Sequence, residues 1–173
     1  VEYPTPVKSL TLSATTSGNF RSECFKYIDE PIPADSHLWL NPGDILIQRA
    51  NTLEYVGVSA IYDGPTGTFI YPDLMMKCQA NSRILTDFLH HVLSSESVRK
   101  FFRENATGTA GNMPKINQQT VLAAPLMLPP KDEQQEIVTR TKALLDFADQ
   151  LEQSLITARE LAKSTAPATL AKA

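Results

Sequence analysis

The chain has 173 residues, 42% of them hydrophobic and 20% charged, with a formal net charge of −3. That length suits one well-buried domain carrying an appendage. No stretch approaches the roughly 18 to 20 apolar residues of a membrane span, and the opening VEYPTPVKSL lacks the charged-then-apolar order of a signal peptide, so the expectation is a cytoplasmic protein with no membrane partner.

The first 80 residues are rich in turn formers and β-branched residues. VKSLTL (7–12), GDILIQRA (43–50), YVGVSAIY (55–62) and GTFIYPDLMMKCQ (67–79) are predicted strands, separated by TTSGN, EPIPADS, NPGD and DGPTG. In DILIQRA the alternation puts Ile45, Ile47 and Arg49 on one face and Leu46 and Gln48 on the other. Such a strand is buried over most of its length and emerges near Arg49.

Helical periodicity begins at residue 82. Ile84, Leu85, Phe88, Leu89, Val92 and Leu93 recur at spacings of three and four and line one face of a helix. SSES offers a new cap, and Val98, Phe101 and Phe102 form the apolar face of a second short helix whose other face carries Arg99, Lys100 and Arg103. Two readings of these cations stand: the ordinary preference of positive charge for a helix C-terminus, about 0.3 to 1 kcal/mol, or a face turned to an anion. The loop TGTAGNMPKIN (107–117) follows, then Asn117 as cap of a short turn, then APLMLPP as a last strand closed by Pro129 and Pro130.

Beyond the prolines, Asp132 with Gln135 three residues on makes a capping-box pattern, and nothing breaks a helix until about Lys163. This helix carries a seven-residue repeat. Ile137, Leu144, Leu151 and Ala158 form one row and Thr141, Ala148, Leu155 and Ala162 the other, a coiled-coil seam with small residues that allow close approach. About 32 residues at 1.5 Å each span roughly 48 Å, longer than a domain of this size needs for its own core. The seam therefore asks for a partner helix, the alternative being that it folds back along its own domain.

The pattern as a whole predicts a mixed α/β (α+β) fold: a twisted multi-stranded sheet with packed helices over residues 1–130, then a long C-terminal coiled-coil helix over 131–173.

Few residues are spaced for catalysis or metal binding. Cys24 and Cys78 have neither zinc spacing nor the density of a disulfide scaffold and read as free thiols. His37, His90 and His91 have no Cys, Asp or Glu at ligand spacing, so no metal site is expected. No nucleophile elbow, phosphate-cradling loop or dinucleotide fingerprint is present. NPGD (41–44) begins like an adenine-methyltransferase motif, but Asp44 stands where an aromatic should stack the base. PDLMMK (72–77) offers Asp73 and Lys77 of a nuclease-like set, but Met75 and Met76 replace the second carboxylate. No catalytic residue and no resident cofactor are expected. Net acidity argues against a nucleic-acid partner. The distribution is more informative: residues 1–80 carry 5 basic and 9 acidic side chains, 81–130 carry 5 and 3, and 131–173 carry 6 and 7, so only the middle block is positive.

Three segments in order, LNPGDILIQRANTLEYVGVSAIY, VRKFFRENATGTAGNMPKINQQTVLAAPLMLPP and KDEQQEIVTRTKALLDFADQLEQSL, together resemble the specificity subunit of type I restriction-modification enzymes. The matching features are Gly43 to Leu46, Gly108 to Asn117 and Leu128 to Ile137, and the likeness covers about residues 7–165. The resemblance implies a non-catalytic target recognition domain that reads half of a bipartite site in double-stranded DNA. It also implies a conserved helix that pairs with a second such helix, in the same full-length subunit or a homodimer mate, and docks methyltransferase (M) subunits, with the restriction (R) subunit joining through the complex. S-adenosylmethionine, ATP and Mg would then belong to those partner subunits. Members usually carry two recognition domains and two helices, whereas this chain has one of each. The alternative is a coiled-coil protein–protein interaction module with an α/β head and no DNA role.

If DNA is the ligand, phosphate contacts position the domain and base-edge contacts specify the sequence. Arg99, Lys100, Arg103, Thr107, Thr109, Asn112 and Lys115 are the candidate backbone anchors. Ser17, Asn19 and Arg21 in TTSGNFR, and Arg49, Asn51, Thr52 and Tyr55 in QRANTLEY, are the candidate base readers, with Glu54 beside them.

Overall fold

A computed structural model describes residues 2–108 and 113–170, with side chains through residue 163. The chain divides into two compact units, Val1–Gln134 and Gln135–Ala173.

The first unit contains two small sheets. In one, β1 (Val7–Leu10) runs antiparallel to β2 (Phe25–Ile28) and parallel to β5 (Phe69–Ile70); in the other, β3 (Ile45–Gln48) lies between β4 (Ser59–Ile61) and β6 (Met75–Cys78), antiparallel to both. Strand β3 is buried at all four positions, as its alternation predicts. Leu46 joins Leu10, Leu40, Tyr62, Phe69 and Met75 in one cluster. Ile45 and Ile47 face the opposite way, onto Val56, Leu93, Val98, Phe102 and Ile116. The β3 sheet is thus the middle layer, with the first sheet on one side and α1 (Thr86–Ser94) and α2 (Glu96–Glu104) on the other. Burial pushes the Tyr62 phenol up to about 12, so it stays a neutral donor, to the Pro65 carbonyl at 2.6 Å.

Several predicted boundaries move, for identifiable reasons. The predicted strand 67–79 is two strands in two sheets, because Pro72 breaks the run and its carbonyl accepts the Met75 N–H in a turn. Strand β2 is one the sequence does not announce; FKYI is short and half exposed, so its alternation is weak. The predicted strand at APLMLPP does not form: Pro125, Pro129 and Pro130 have no N–H to give to a ladder, and Leu126, Met127 and Leu128 are exposed. Helix α1 starts at Thr86 and not at 82, while Ser95 caps α2 by accepting from Val98 N–H as expected. Asn117 likewise caps α3 (Gln118–Leu122), accepting from Thr120 N–H at 2.9 Å.

Helix α4 spans Lys131–Leu170. The cap shifts from the predicted Asp132 to Pro130, whose carbonyl accepts the Gln134 N–H. Asp132 instead adds charge to the first turn, where it complements the helix dipole. Gln134, and not Gln135, carries the special role: it is fully buried, accepts from Leu85 N–H (2.8 Å) and donates to the carbonyls of Arg83 and Pro129 (3.0 and 2.9 Å). The first turn of α4 thereby belongs to the first unit. In the second unit, Ile137 and Thr141 are partly buried, while Leu144, Leu151 and Leu155 are 70%, 50% and 60% exposed. Ala148, Ala158 and Ala162 are exposed as well. Leu145, Phe147 and Ile156, outside the seven-residue repeat, are also exposed.

Candidate nucleic-acid interface

The C-terminal end of β3 is where the chain brings its loops together. Four segments far apart in sequence hydrogen-bond there. The 12–16 turn is held by Gln48, whose Nε2 donates to the Leu12 carbonyl (2.9 Å), Thr15 Oγ1 (3.0 Å) and Thr16 Oγ1 (3.1 Å). The 72–74 turn is held through the Leu74 carbonyl, which accepts from Arg49 N–H. The 107–117 loop closes on itself through reciprocal Thr107 and Lys115 backbone bonds, both 2.8 Å, and attaches through Ile116 N–H to the Arg49 carbonyl and Asn51 N–H to the Pro114 carbonyl. The fourth segment, 49–57, is the exit of β3 itself.

Gln48 is the residue that sequence reasoning missed. A fully buried glutamine is tolerable only when its amide is satisfied, and here its oxygen accepts from Asn51 Nδ2 at 2.5 Å while its nitrogen holds the 12–16 turn. Its place on a face that otherwise reads as core was the available signal: a polar side chain at a core position of a strand is either an error or a strut. Phe20 reinforces the same loop from the apolar side, its ring 4.8 Å from that of Tyr62.

The candidate residues separate into those that support this end and those that face out from it. Asn51, predicted to read bases, is a support: its amide is taken by Gln48, and its Oδ1 accepts from Thr52 N–H at 2.8 Å. Arg99, predicted to anchor a phosphate, is buried, and its guanidinium donates to the carbonyls of Val56 (2.5 Å) and Glu54 (2.7 Å). The helical pattern misplaces it because positions 98 and 102 flank it on the apolar side, where α2 presses against Gly57. A Cβ at Gly57, whose φ is +77°, would lie 2.5 Å from the Phe102 ring and 2.9 Å from Arg99 Nη1, so only glycine allows that approach. Burial lowers the Arg99 pKa from its ordinary value, with Arg103 acting in the same direction.

Lys100 and Arg103 are neutralised by acids of their own helix, Glu104 at 3.7 Å and Glu96 respectively, which favours the plain surface reading of that face. Arg21 pairs with Glu23 at 2.9 Å. Ser17, Asn19, Arg49, Thr52, Glu54, Thr107 and Lys115 are exposed, and Tyr55 is half buried. Among the described residues Lys115 and Arg49 have no ion-pair partner, and the Arg49 guanidinium donates to the Asp73 carbonyl at 3.4 Å. Thr109 and Asn112 lie outside the described residues.

Beside Arg49 opens a cleft of about 820 Å³, with Lys77 and Asn117 among its lining residues. Lys77 and Asp44, from the two strings that mimic nucleic-acid enzymes, meet at 3.8 Å. Both are committed to the scaffold: Lys77 Nζ donates to the carbonyls of His37 (2.7 Å) and Trp39 (3.0 Å), and Asp44 accepts from Asn41 N–H (2.9 Å) and Gln79 Nε2 (2.6 Å). The pair ties β3 and β6 to the 37–41 loop.

Comparison with known proteins places these features in a family. The family model described as "Type I restriction modification DNA specificity domain" matches residues 11–159. The chain is 26% identical over 166 residues to the EcoKI type I restriction enzyme specificity subunit of Escherichia coli (strain K12), covering 95% of this chain and 36% of that one. It is 29% identical over 137 residues to the StySPI specificity subunit of Salmonella potsdam, covering 78% and 29%. Among solved structures, the HsdS subunit from Thermoanaerobacter tengcongensis superposes with a TM-score of 0.65 at 20% identity, over 83% of this chain and 37% of that one, and shares the fold. The chain therefore spans about a third of the length of the relatives it matches.

Proposed function

The chain belongs to the type I restriction modification DNA specificity domain family, and from that premise we propose that its first unit reads one half of a bipartite DNA site through the loops gathered at the end of β3. One observation carries the reading: Gln48 and its neighbours fix four loops in one place, and the side chains left exposed there, Arg49, Thr52, Lys115 and those of the Ser17–Asn19 turn, include cations and polar groups of the types suited to nucleic acid. Site geometry built on a rigid support is what specific readout requires. Lys115 acts as a phosphate anchor, and Arg49 reaches base edges.

The second unit, on this reading, supplies the α4 seam to a second helix of the same kind and gives the methyltransferase subunits a docking surface, with the restriction subunit joining through the complex. Exposed Leu144, Leu151 and Leu155 at seven-residue spacing support a helical partner. The interaction-module alternative accounts equally for that seam but leaves the loop assembly without a role. S-adenosylmethionine, ATP and Mg are assigned to the partner subunits. The test is reconstitution with a cognate methyltransferase subunit and mapping of methylated adenines or cytosines across a genome. A stable complex that methylates one sequence is expected; a stable complex with no sequence preference, or no complex, would overturn the reading.

A further inference from the structure

We infer that Gln118 and Gln119, together with Arg49, are the side chains that choose base pairs, working from the walls of the 820 Å³ cleft that all three line. The inference rests on the DNA-reading role proposed above and adds to Arg49 two residues outside the loops that the sequence singles out.

The polar groups of the cleft, which also include His37, Tyr71 and Asp73, differ in how far they are committed. Of the cleft's polar groups, the Lys77 ammonium is committed to two carbonyls and to Asp44, and the Asn117 oxygen accepts from both the N–H and the hydroxyl of Thr120 (2.9 and 3.2 Å). The Arg49 guanidinium donates to the Asp73 carbonyl at 3.4 Å and has no ion-pair partner among the described residues. Gln118 and Gln119 are exposed. Their backbone is nevertheless fixed, because Asn117 caps α3 in front of them while Ile116 and Val121 on either side pack into the cluster beneath. Two exposed amides that no hydrogen bond ties to another side chain among the described residues, on a fixed backbone, contribute little to stability and are good recognition elements.

The chemistry of the walls favours base edges over phosphate. A channel for the DNA backbone would be uniformly cationic, and this cleft carries the Asp73 carboxylate as well as Arg49. A mixture of donors and acceptors is what major-groove edges present. The amide of glutamine matches the N6 and N7 positions of adenine, and the arginine fork matches O6 and N7 of guanine. Lys115, in the neighbouring loop, is left as the phosphate contact.

The test is selection of a randomised duplex pool by the chain, compared with its Gln118→Ala, Gln119→Ala, Gln118→Glu and Gln119→Glu variants, with thermal unfolding measured in parallel. The wild type is expected to enrich one motif. The alanine variants should lose roughly tenfold of the preference at one or two positions of that motif, with unfolding, affinity for unrelated duplex and salt dependence unchanged. At least one glutamate variant should move an adenine preference towards cytosine, whose amino group a carboxylate can accept from; a merely structural role would not produce that switch. If the wild type enriches a motif and every variant enriches the same one equally, this inference fails while the DNA-reading role stands. Uniform weakening on all sequences would make the glutamines phosphate contacts and also overturn it. If the wild type enriches nothing, the DNA-reading role itself falls.

Discussion

Along β3 every side chain is buried, and even Gln48 finds partners for both ends of its amide. Along α4 the buried side chain among the described residues is Gln134, and the large members of its apolar seam from Leu144 onward are at least half exposed. The first region is complete within its own unit, with polar atoms satisfied by loops that the strand in turn holds in place. The second holds its shape by local hydrogen bonds and i,i+4 pairs such as Glu136 with Arg140 at 2.5 Å, and gains packing energy only when something covers the seam. Buried polar groups therefore hold one region together, and exposed apolar groups in the other are left for the association proposed above.

The largest effect that would test this contrast comes from Arg99→Ala. It leaves the Val56 and Glu54 carbonyls without their donor and empties the space over Gly57, and the expected loss is about 3 kcal/mol. Urea unfolding checks it; an unmoved midpoint would mean that the buried guanidinium is not the bracket described. Gln48→Ala comes next, with an expected loss of about 2 kcal/mol and faster amide exchange in residues 12–16, 49–52 and 115–116 together. Exchange that rose in one loop only would break the idea of a common support. Leu151→Ala should change the unfolding free energy of the dilute chain by less than about 0.5 kcal/mol, yet lower the affinity for a partner helix at least tenfold, since a leucine buried in a seam contributes about 2 kcal/mol or more. Sedimentation with the partner helix separates the two effects. Lys115→Ala is the mildest for the fold: stability stays put, binding to all duplexes weakens alike, and the slope of log affinity against log salt shrinks by about one.

How much of this could be read from the sequence depended on whether a single side chain or a distant neighbour decides the outcome. Strand β3, the Asn117 cap and the Ser95 cap follow from local pattern and are where the pattern puts them. The division of residues 67–79 into two strands turned on Pro72, visible in the sequence but outweighed by the apolar run around it. Arg99 could not be placed from its helix alone, because what buries it is the backbone of residues 54–57, more than 40 positions away. Asn51 looked free for the same reason, its partner Gln48 being concealed by its own burial. Nothing local in the sequence marks Gln118 and Gln119, because an exposed glutamine beside a cleft has the same neighbours in sequence as one on a plain surface.

Gln48 also bears on how such a molecule could change its target. On the proposed reading, exchanges at Arg49, Gln118 or Gln119 alter the vocabulary of the surface while its frame stays fixed, so new preferences can arise one side chain at a time on an unaltered fold. A change at Gln48 shifts several loops at once and leaves no single preference intact. On that reading a buried amide that need never touch DNA channels diversity to the rim.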